Sequence, residues 1–246
     1  MKTRADLLLV ARGLCESRAK ARAAIEAGGV KAGGRAVVRP SDLLANDIAL
    51  VVAHAHPWVG RGALKLEHAL AKWPIAVEGR AVLDLGASTG GFTEVCLGAG
   101  ARRVYAVDVG RCQLHARLVG DRRVTSLEGT DARHLTRAEI PESPQIVVCD
   151  LSFIGLAKAL PAGLALAADG ADLVALVKPQ FEVGPERVGK GGLVKDETAR
   201  LEALAAVTRF LEGAGWKVEA TMDSPIEGGD GNREYLIWAK KTGRPR

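Results

Sequence analysis

From residue 62 to the C-terminus, short apolar runs alternate with stretches of helical period. The runs are "RAVLDLG", "RRVYAVDV", "RVTSLEG", "QIVVCDL" and "DLVALVKP", followed, after a long helical segment "ETARLEALAAVTRFLEGAG", by "KVEATMDS" and "EYLIWAKK". Runs of this length, rich in β-branched residues and bounded by turn formers, predict buried strands. An amphipathic segment, "GALKLEHALAKW", comes first, with Leu64, His68 and Ala71 on one series of turns. Strand and helix in alternation predict an α/β fold, a mostly parallel sheet with helices on both faces. Ligands of such sheets bind beyond the carboxyl ends of the strands. Two apolar strands finish there on opposite charges: Ile146, Val147 and Val148 lead to Asp150, and "DLVALV" leads to Lys178.

The first fifty residues follow another pattern. Residues 3 to 12 predict one helix, and Ser17 is placed to cap a second that runs through "RAKARAAIEA" to a stop at Gly28-Gly29. Ala21, Ala24 and Ile25 share one face of it, and Arg18 and Arg22 share another. "GGVKAGGRAVV" predicts two short strands about a Gly33-Gly34 turn, and "DIALVV" a third. Pro57, Gly60 and Gly62 mark a linker, giving expected boundaries of 1–55 for a small α+β domain, 56–62 for the linker and 63–246 for the α/β domain. His54 and His56 lie in or beside that linker without acid or thiol partners and read as linker residues, not metal ligands.

Charge sharpens this division. The chain of 246 residues carries a net charge of +5, and residues 1–56 hold nine Lys/Arg against five acids. Such a patch attracts phosphate backbones, although a solvated helix face accounts for it as well. The candidate RNA contacts are Arg4, Arg18, Lys20, Arg22, Lys31 and Arg35. The stretch "ESRAKARAAIEAGGVKAGGR" resembles the compact RNA-binding module first described in the fourth protein of the small ribosomal subunit, over roughly residues 3 to 53.

Several function classes fall away. No apolar run reaches the roughly 18 residues of a spanning helix, and the N-terminus has no small-residue cleavage site. Cys15, Cys96, Cys112 and Cys149 form no CxxC pair, which argues against a zinc site or a disulfide framework. The expectation is a cytoplasmic protein with no membrane segment and no metal. No feature of the sequence sets an oligomeric state.

The first strand of the α/β domain enters a βα turn, "LDLGASTGGFTEV", holding Asp84, Gly86, Ser88, Thr89, Gly90, Gly91 and Phe92. Turns of this kind bring backbone N–H groups close to a ligand. The dinucleotide pattern GxGxxG is not met, because Ser88 occupies the place of the second glycine. Asp108 ends the next strand, where a carboxylate can accept ribose hydroxyls, and Asp131 follows the third, at a position suited to the exocyclic amine of adenine. This ordered series of acids fits S-adenosylmethionine, which has no pyrophosphate and whose sulfonium and amino groups tolerate carboxylates. The bland alternative is an ordinary α/β turn with solvated acids.

With "RGALKLEHAL", "VLDLGASTGGFTEVCLGAGARRVYAVDVG", "CDLSFI", "LVKPQFEVG" and "NREYLIWAKK" in place, the chain resembles the TlyA (haemolysin A-like) family over nearly its whole length. The resemblance implies a Rossmann-like class I methyltransferase sheet behind the small RNA-binding module. It further implies an FtsJ-like enzyme that methylates the 2′-hydroxyl of ribose in ribosomal RNA, with a cytidine as target. The family's Lys-Asp-Lys-Glu tetrad falls on Lys65, Asp150, Lys178 and Glu234. Gly60-Arg61-Gly62-Ala63 departs from the family's usual Ser-Arg-Gly-Gly before the first of these. The sequence does not identify whether one or both ribosomal subunits are modified, and the short tails faintly favour the family form that acts on the large subunit only.

The chemistry suits those residue types. A ribose hydroxyl is a weak nucleophile, so methyl transfer needs a base or a cation that stabilises an alkoxide. Lys178 is assigned that part, as base or alkoxide stabiliser, with Lys65 orienting the ribose. Glu234 is expected to hold Lys178, and Asp150 to orient a lysine and touch the cofactor's amino group. A structural ion pair between Lys178 and Glu234 is the blander reading. "FEVGPERVGKGGLVKDE", with Arg187, Lys190 and Lys195, reads as a basic lid or as a surface loop without function. Aromatic residues are few, so recognition is expected to rest on phosphate contacts and shape, with a stacked or flipped nucleotide at the cleft. The rival functions are a non-catalytic RNA-binding or ribosome-assembly factor and a pore-forming haemolysin.

Overall fold

The computed structural model describes residues 2–15, 17–26, 28–52, 56–228 and 231–243. The chain forms two compact units, Met1–Pro57 and Trp58–Arg246. His54 lies outside the described residues.

The N-terminal unit begins with strand β1 (Lys2–Arg4) and helix α1 (Ala5–Ala11). Helix α2 (Arg18–Glu26) and strands β2 (Val30–Ala32), β3 (Arg35–Ala36), β4 (Leu43–Ala45) and β5 (Leu50–Val52) follow. A helix over residues 3–12 was expected, and its first residues are strand instead. Lys2 to Arg4 pair antiparallel with Leu43 to Ala45, a partner forty residues away that local periodicity does not reveal. Ser17 caps α2 as expected, its hydroxyl accepting from Lys20 N at 3.2 Å, and β3, β2 and β5 form one three-stranded sheet. Ala5, Leu9, Ala21, Ile25 and Val30 make the core, with Ala24 packed at its margin.

One charge is buried with that core. Asp6 has no solvent exposure, and it accepts from Arg4 Nε and Nη2, both at 3.0 Å, and from Arg18 Nε at 2.9 Å. The hydrogen bonds from Arg4, then from Arg18, hold its carboxyl well below the usual range despite desolvation.

The C-terminal unit opens with α3 (Ala63–Lys72), β6 (Ala81–Leu85), α4 (Gly91–Gly98), β7 (Arg103–Asp108), α5 (Ala116–Val119) and β8 (Val124–Glu128). It continues with β9 (Ile146–Cys149), α6 (Leu156–Ala159), α7 (Pro161–Leu166), β10 (Asp172–Val177) and α8 (Pro179–Glu182). The long helix α9 (Glu197–Gly213) and strands β11 (Trp216–Asp223) and β12 (Tyr235–Lys241) complete it. The seven strands lie in the order β11-β12-β10-β9-β6-β7-β8. β10, β9, β6, β7 and β8 are parallel, and β12 runs antiparallel to both of its neighbours.

The central strands β6, β9 and β10 are buried at every residue, which is why they read as continuous apolar runs. Side chains of a strand alternate between faces, so one sheet makes two cores. Leu83, Val147 and Leu173 pack with Leu156, Leu164 and Leu211 of α6, α7 and α9. Val82, Val148 and Val174 pack with Leu66, Val95 and Leu118 of α3, α4 and α5. Trp58 and Val59, in the stretch read as linker, pack against this second core. The buried face of α3 is Ala63, Lys65, Leu66 and Ala69, not the expected Leu64, His68 and Ala71 series. The helix is turned so that a lysine faces inward.

The Asp6 arrangement predicts a pH-dependent stability. Its folded pKa is depressed, so its stabilisation is complete above about pH 4, where the unfolded side chain ionises, and is lost as pH falls further. Asp6→Asn should lower the calorimetric unfolding midpoint of the N-terminal unit at pH 7, and the gap to wild type should narrow toward pH 3.

Candidate active site

Beyond the carboxyl ends of the central strands, sheet register brings distant residues together. Cys149 pairs with Leu85 on one side and Ala175 on the other, so Asp150 emerges between the ends of β6 and β10. Val177 pairs with Tyr235 of the antiparallel β12, which sets Glu234 beside Lys178. Lys65 arrives from the first turn of α3.

These four residues form a chain of alternating charge. Glu234 Oε2 lies 2.5 Å from Lys65 Nζ, Lys65 Nζ lies 3.9 Å from Asp150 Oδ2, and Asp150 Oδ1 lies 2.6 Å from Lys178 Nζ. Lys65, Lys178 and Glu234 are buried, and Asp150 nearly so. Lys178 also donates to Ser152 Oγ at 2.9 Å. The expected bond between Glu234 and Lys178 is therefore corrected. Lys65 takes Glu234, because the inward turn of α3 delivers its ammonium there, and Lys178 turns to Asp150.

Of the expected cofactor residues, Gly86, Ser88, Thr89, Gly91, Phe92 and Asp150 line one cavity of about 230 Å³, with Lys178 and Ser152 on its wall. The sequence reading missed Ser152 and the Gly60–Gly62 turn, which also lines it. Gly86 has φ +86°, and a side chain there would place Cβ 2.7 Å from the Asp150 carbonyl oxygen. Only a glycine lets the two strand ends approach so closely. Ser88 takes the left-handed conformation too, at φ 47°, and its N–H donates to Asp108 Oδ2 at 2.8 Å. The serine thus adopts the backbone shape that a glycine would adopt more readily.

Asp84 and Gly90 are buried behind the cavity. Asp84 Oδ2 accepts from the Thr93 hydroxyl at 2.6 Å, while Oδ1 has no hydrogen-bond partner among the described residues. Desolvation pushes its carboxyl up to about 7, opposed by the Thr93 hydrogen bond and reinforced by the Asp150 charge. Asp108 accepts from Ser88 N and, at 2.7 Å, from Gly110 N. An ionised carboxylate has about four acceptor positions, and on Asp108 two of them take these donors among the described residues. Asp131, the residue expected near adenine, accepts from its neighbour Arg133, which donates from N, Nε and Nη2. The orphan acceptor on Asp84, the Gly86 cradle and the Asp108 carboxylate fit a cofactor that carries an amine, a sulfonium and a ribose.

Phe153 carries a signal that the sequence reading quoted without using. Three residues past Asp150, it is 90% exposed and has φ +67°. Strain of this kind persists only where surrounding structure holds it, and it concentrates at functional sites. Its ring lies 5.3 Å from that of Phe181. The expected basic lid is a folded segment. Asn232 accepts from Val194 N at 3.0 Å and donates to Gly192 O at 2.8 Å, Arg187 pairs with Glu202, and Lys190 and Lys195 stay exposed.

In the N-terminal unit, the six expected RNA contacts divide. Arg4 and Arg18 are committed to Asp6, and Arg22 lies 4.0 Å from Glu26. Lys20 is exposed on α2. Lys31 and Arg35 stand exposed on the β2–β3 hairpin and form no ion pair among the described residues.

Comparison with known proteins gives concordant results. The chain matches the FtsJ-like methyltransferase family over residues 58–241 and the S4 domain over residues 3–45. It is 47% identical to the 16S/23S rRNA (cytidine-2'-O)-methyltransferase TlyA of Mycobacterium tuberculosis, over 97% of this chain and 90% of that protein. It is 42% identical to YqxC of Bacillus subtilis, named as a candidate rRNA methyltransferase, over 96% and 85% of the two chains. A solved candidate hemolysin from Streptococcus thermophilus superposes with a TM-score of 0.80 at 40% identity, covering 99% of this chain and 90% of its own.

Asp84 predicts a second pH effect, opposite in sign to that of Asp6. Its carboxyl ionises in the unfolded chain from about pH 4 but in the folded chain only near 7, so it subtracts stability as pH rises between the two. Asp84→Asn removes that slope. Its stability relative to wild type, measured by urea denaturation, should rise from pH 4.5 to pH 7.5.

Proposed function

The chain belongs to the FtsJ-like methyltransferase family, with an S4 domain ahead of the catalytic unit, and on that premise we propose that it methylates the 2′-hydroxyl of a cytidine ribose in ribosomal RNA. The observation that carries this reading is the placement of Lys178, paired to Asp150, on the wall of the cavity formed by the glycine-rich turn. S-adenosylmethionine, when bound, supplies an electrophilic methyl group on its sulfonium.

The protein's residues supply the rest. The Gly86–Phe92 turn and Asp108 seat the cofactor beside Asp150. With Asp150 2.6 Å away and Ser152 accepting one of its protons, Lys178 donates to the ribose 2′-oxygen and stabilises negative charge as it develops there, while the hydroxyl proton passes to solvent water. Lys65 adds a second positive charge behind Asp150 and is held by Glu234. Holding the hydroxyl in line with the methyl carbon lowers the entropic part of the barrier. Phe153 offers an exposed face to a nucleobase, and stacking of this kind contributes about 1–3 kcal/mol per base. The N-terminal unit contributes phosphate contacts through Lys31 and Arg35, exposed on the β2–β3 hairpin, together with Lys20 on the surface of α2. The site of action is the cytoplasm, where ribosomal subunits are found.

Incubating the protein and labelled cofactor with separate ribosomal subunits, then mapping alkali-resistant linkages, tests the reading. Label at a ribose 2′-oxygen is expected, and no incorporation into either subunit or their RNA overturns it in favour of a non-catalytic binding factor. Lys178→Ala should retain cofactor affinity and slow transfer by about 10²- to 10⁴-fold. Wild-type turnover would remove Lys178 from the mechanism.

A further inference from the structure

Between β7 and α5, residues 109–115 form a loop whose shape is over-determined. Cys112 has φ 57°, a left-handed conformation uncommon for a residue with a side chain. The neighbouring strand end holds it there. Glu128, the last residue of β8, accepts from Gln113 N at 2.6 Å and Leu114 N at 2.9 Å through Oε1, and from Cys112 N at 3.1 Å through Oε2. Three successive backbone amides thus converge on one carboxylate, and they hold it below the usual range, the Leu114 bond most strongly. The Leu114 side chain is buried in the second core, and His115 N donates to Thr89 O at 3.2 Å, which ties the loop to the glycine-rich turn.

The loop delivers the side chain of Gln113 to the end of β7. Its Oε1 accepts from the Ser88 hydroxyl at 3.2 Å, while Nε2 makes no hydrogen bond among the described residues. That amide lies directly over Gly110. A Cβ built on Gly110 would stand 1.7 Å from Gln113 Nε2 and 3.1 Å from Asp108 Oδ1. An amide with hydrogens to donate therefore fills the space left by the missing Gly110 side chain, close to a carboxylate with lone pairs to offer. A vicinal diol, whose hydroxyls both donate and accept, is the ligand chemistry that matches this pair.

We propose that Gln113 is a cofactor-binding residue, its amide donating to a ribose hydroxyl oxygen of the S-adenosyl group while Asp108 accepts hydroxyl protons, and that Glu128 and Gly110 position it. This inference rests on the methyltransferase reading above. Glu128 acts only through the loop backbone. Gly110 acts by lacking a side chain, so the amide can lie flat across the strand end.

Calorimetric titration of the full chain with S-adenosylhomocysteine and with its 2′,3′-dideoxy analogue tests the assignment without depending on turnover. Wild type should bind the ribose form more tightly. Gln113→Ala should weaken that form about five- to tenfold, the worth of one hydrogen bond, and leave the dideoxy analogue unchanged. Gly110→Ala displaces the flexible end of Gln113, so it should cause a similar loss, and should add nothing in a Gln113→Ala background. Glu128→Gln places an amide donor against a backbone donor and should reduce the ribose preference in a chain that still unfolds in one cooperative transition, at a slightly lower midpoint. Tighter binding by Gln113→Ala would show that the side chain blocks the seat and would overturn the inference. Equal losses for both ligands, or additive losses for Gly110 and Gln113, would overturn it as well. A ribose preference undiminished in Glu128→Gln would remove Glu128 from the positioning role. A wild-type chain that binds neither ligand would overturn the methyltransferase reading itself.

Discussion

Glu234, Lys65, Asp150 and Lys178 place four charges of alternating sign at one edge of a sheet, largely out of water. Removing one partner of a buried ion pair strands the other, at a cost of about 3–5 kcal/mol, so much of the C-terminal unit is constrained to keep the chain closed. The antiparallel β12 lies between β10 and β11, which presents its first residues, and Glu234 before them, at the edge where the parallel strands end. Helix α3 turns a lysine into its buried face. Gly62 comes so near that a Cβ there would stand 3.3 Å from Asp150 Oδ2. Because the positive and negative charges balance, the site holds two lysines without a net buried charge.

A comparison within the same unit shows that burial alone does not make an acid catalytic. Asp172, at the start of β10, is more deeply buried than Asp150 and is satisfied by Arg80 Nη1 and Trp238 Nε1, both at 2.9 Å. It sits at the amino end of the parallel strands, where loops do not gather around a ligand. Asp6 of the N-terminal unit is another structural acid, held by Arg4 and Arg18. Position along the strand, and what remains unpaired nearby, separate these acids from Asp150.

The central strands β6, β9 and β10 were legible in the sequence because burial on both faces writes uninterrupted apolar runs, and β11 because one buried face writes alternation. The strand-end rule then brought Asp150 and Lys178 to one edge. Which lysine meets which acid was not legible. Register sets Glu234 beside Lys178, and only the rotation of α3 decides that Lys65 reaches it first. The engagement of Asp131 by Arg133, two residues on, was not legible either, since it depends on the local turn. The β1–β4 pair was hidden because three-residue strands show no periodicity and their pairing is non-local. Phe153 stood in a quoted motif, but exposure and a strained backbone are properties of the fold. Gln113 was silent for the same reason: its role depends on a loop shaped by Glu128 from another strand.

The central claim is that the four charges act as one unit in methyl transfer. Single-turnover rates of Lys65→Ala, Lys178→Ala and the double variant, at saturating cofactor and subunit, test it most directly. Groups that act together lose their effect together, so the double variant should be about as slow as the slower single one. Losses that multiply would show two independent lysines and contradict the account.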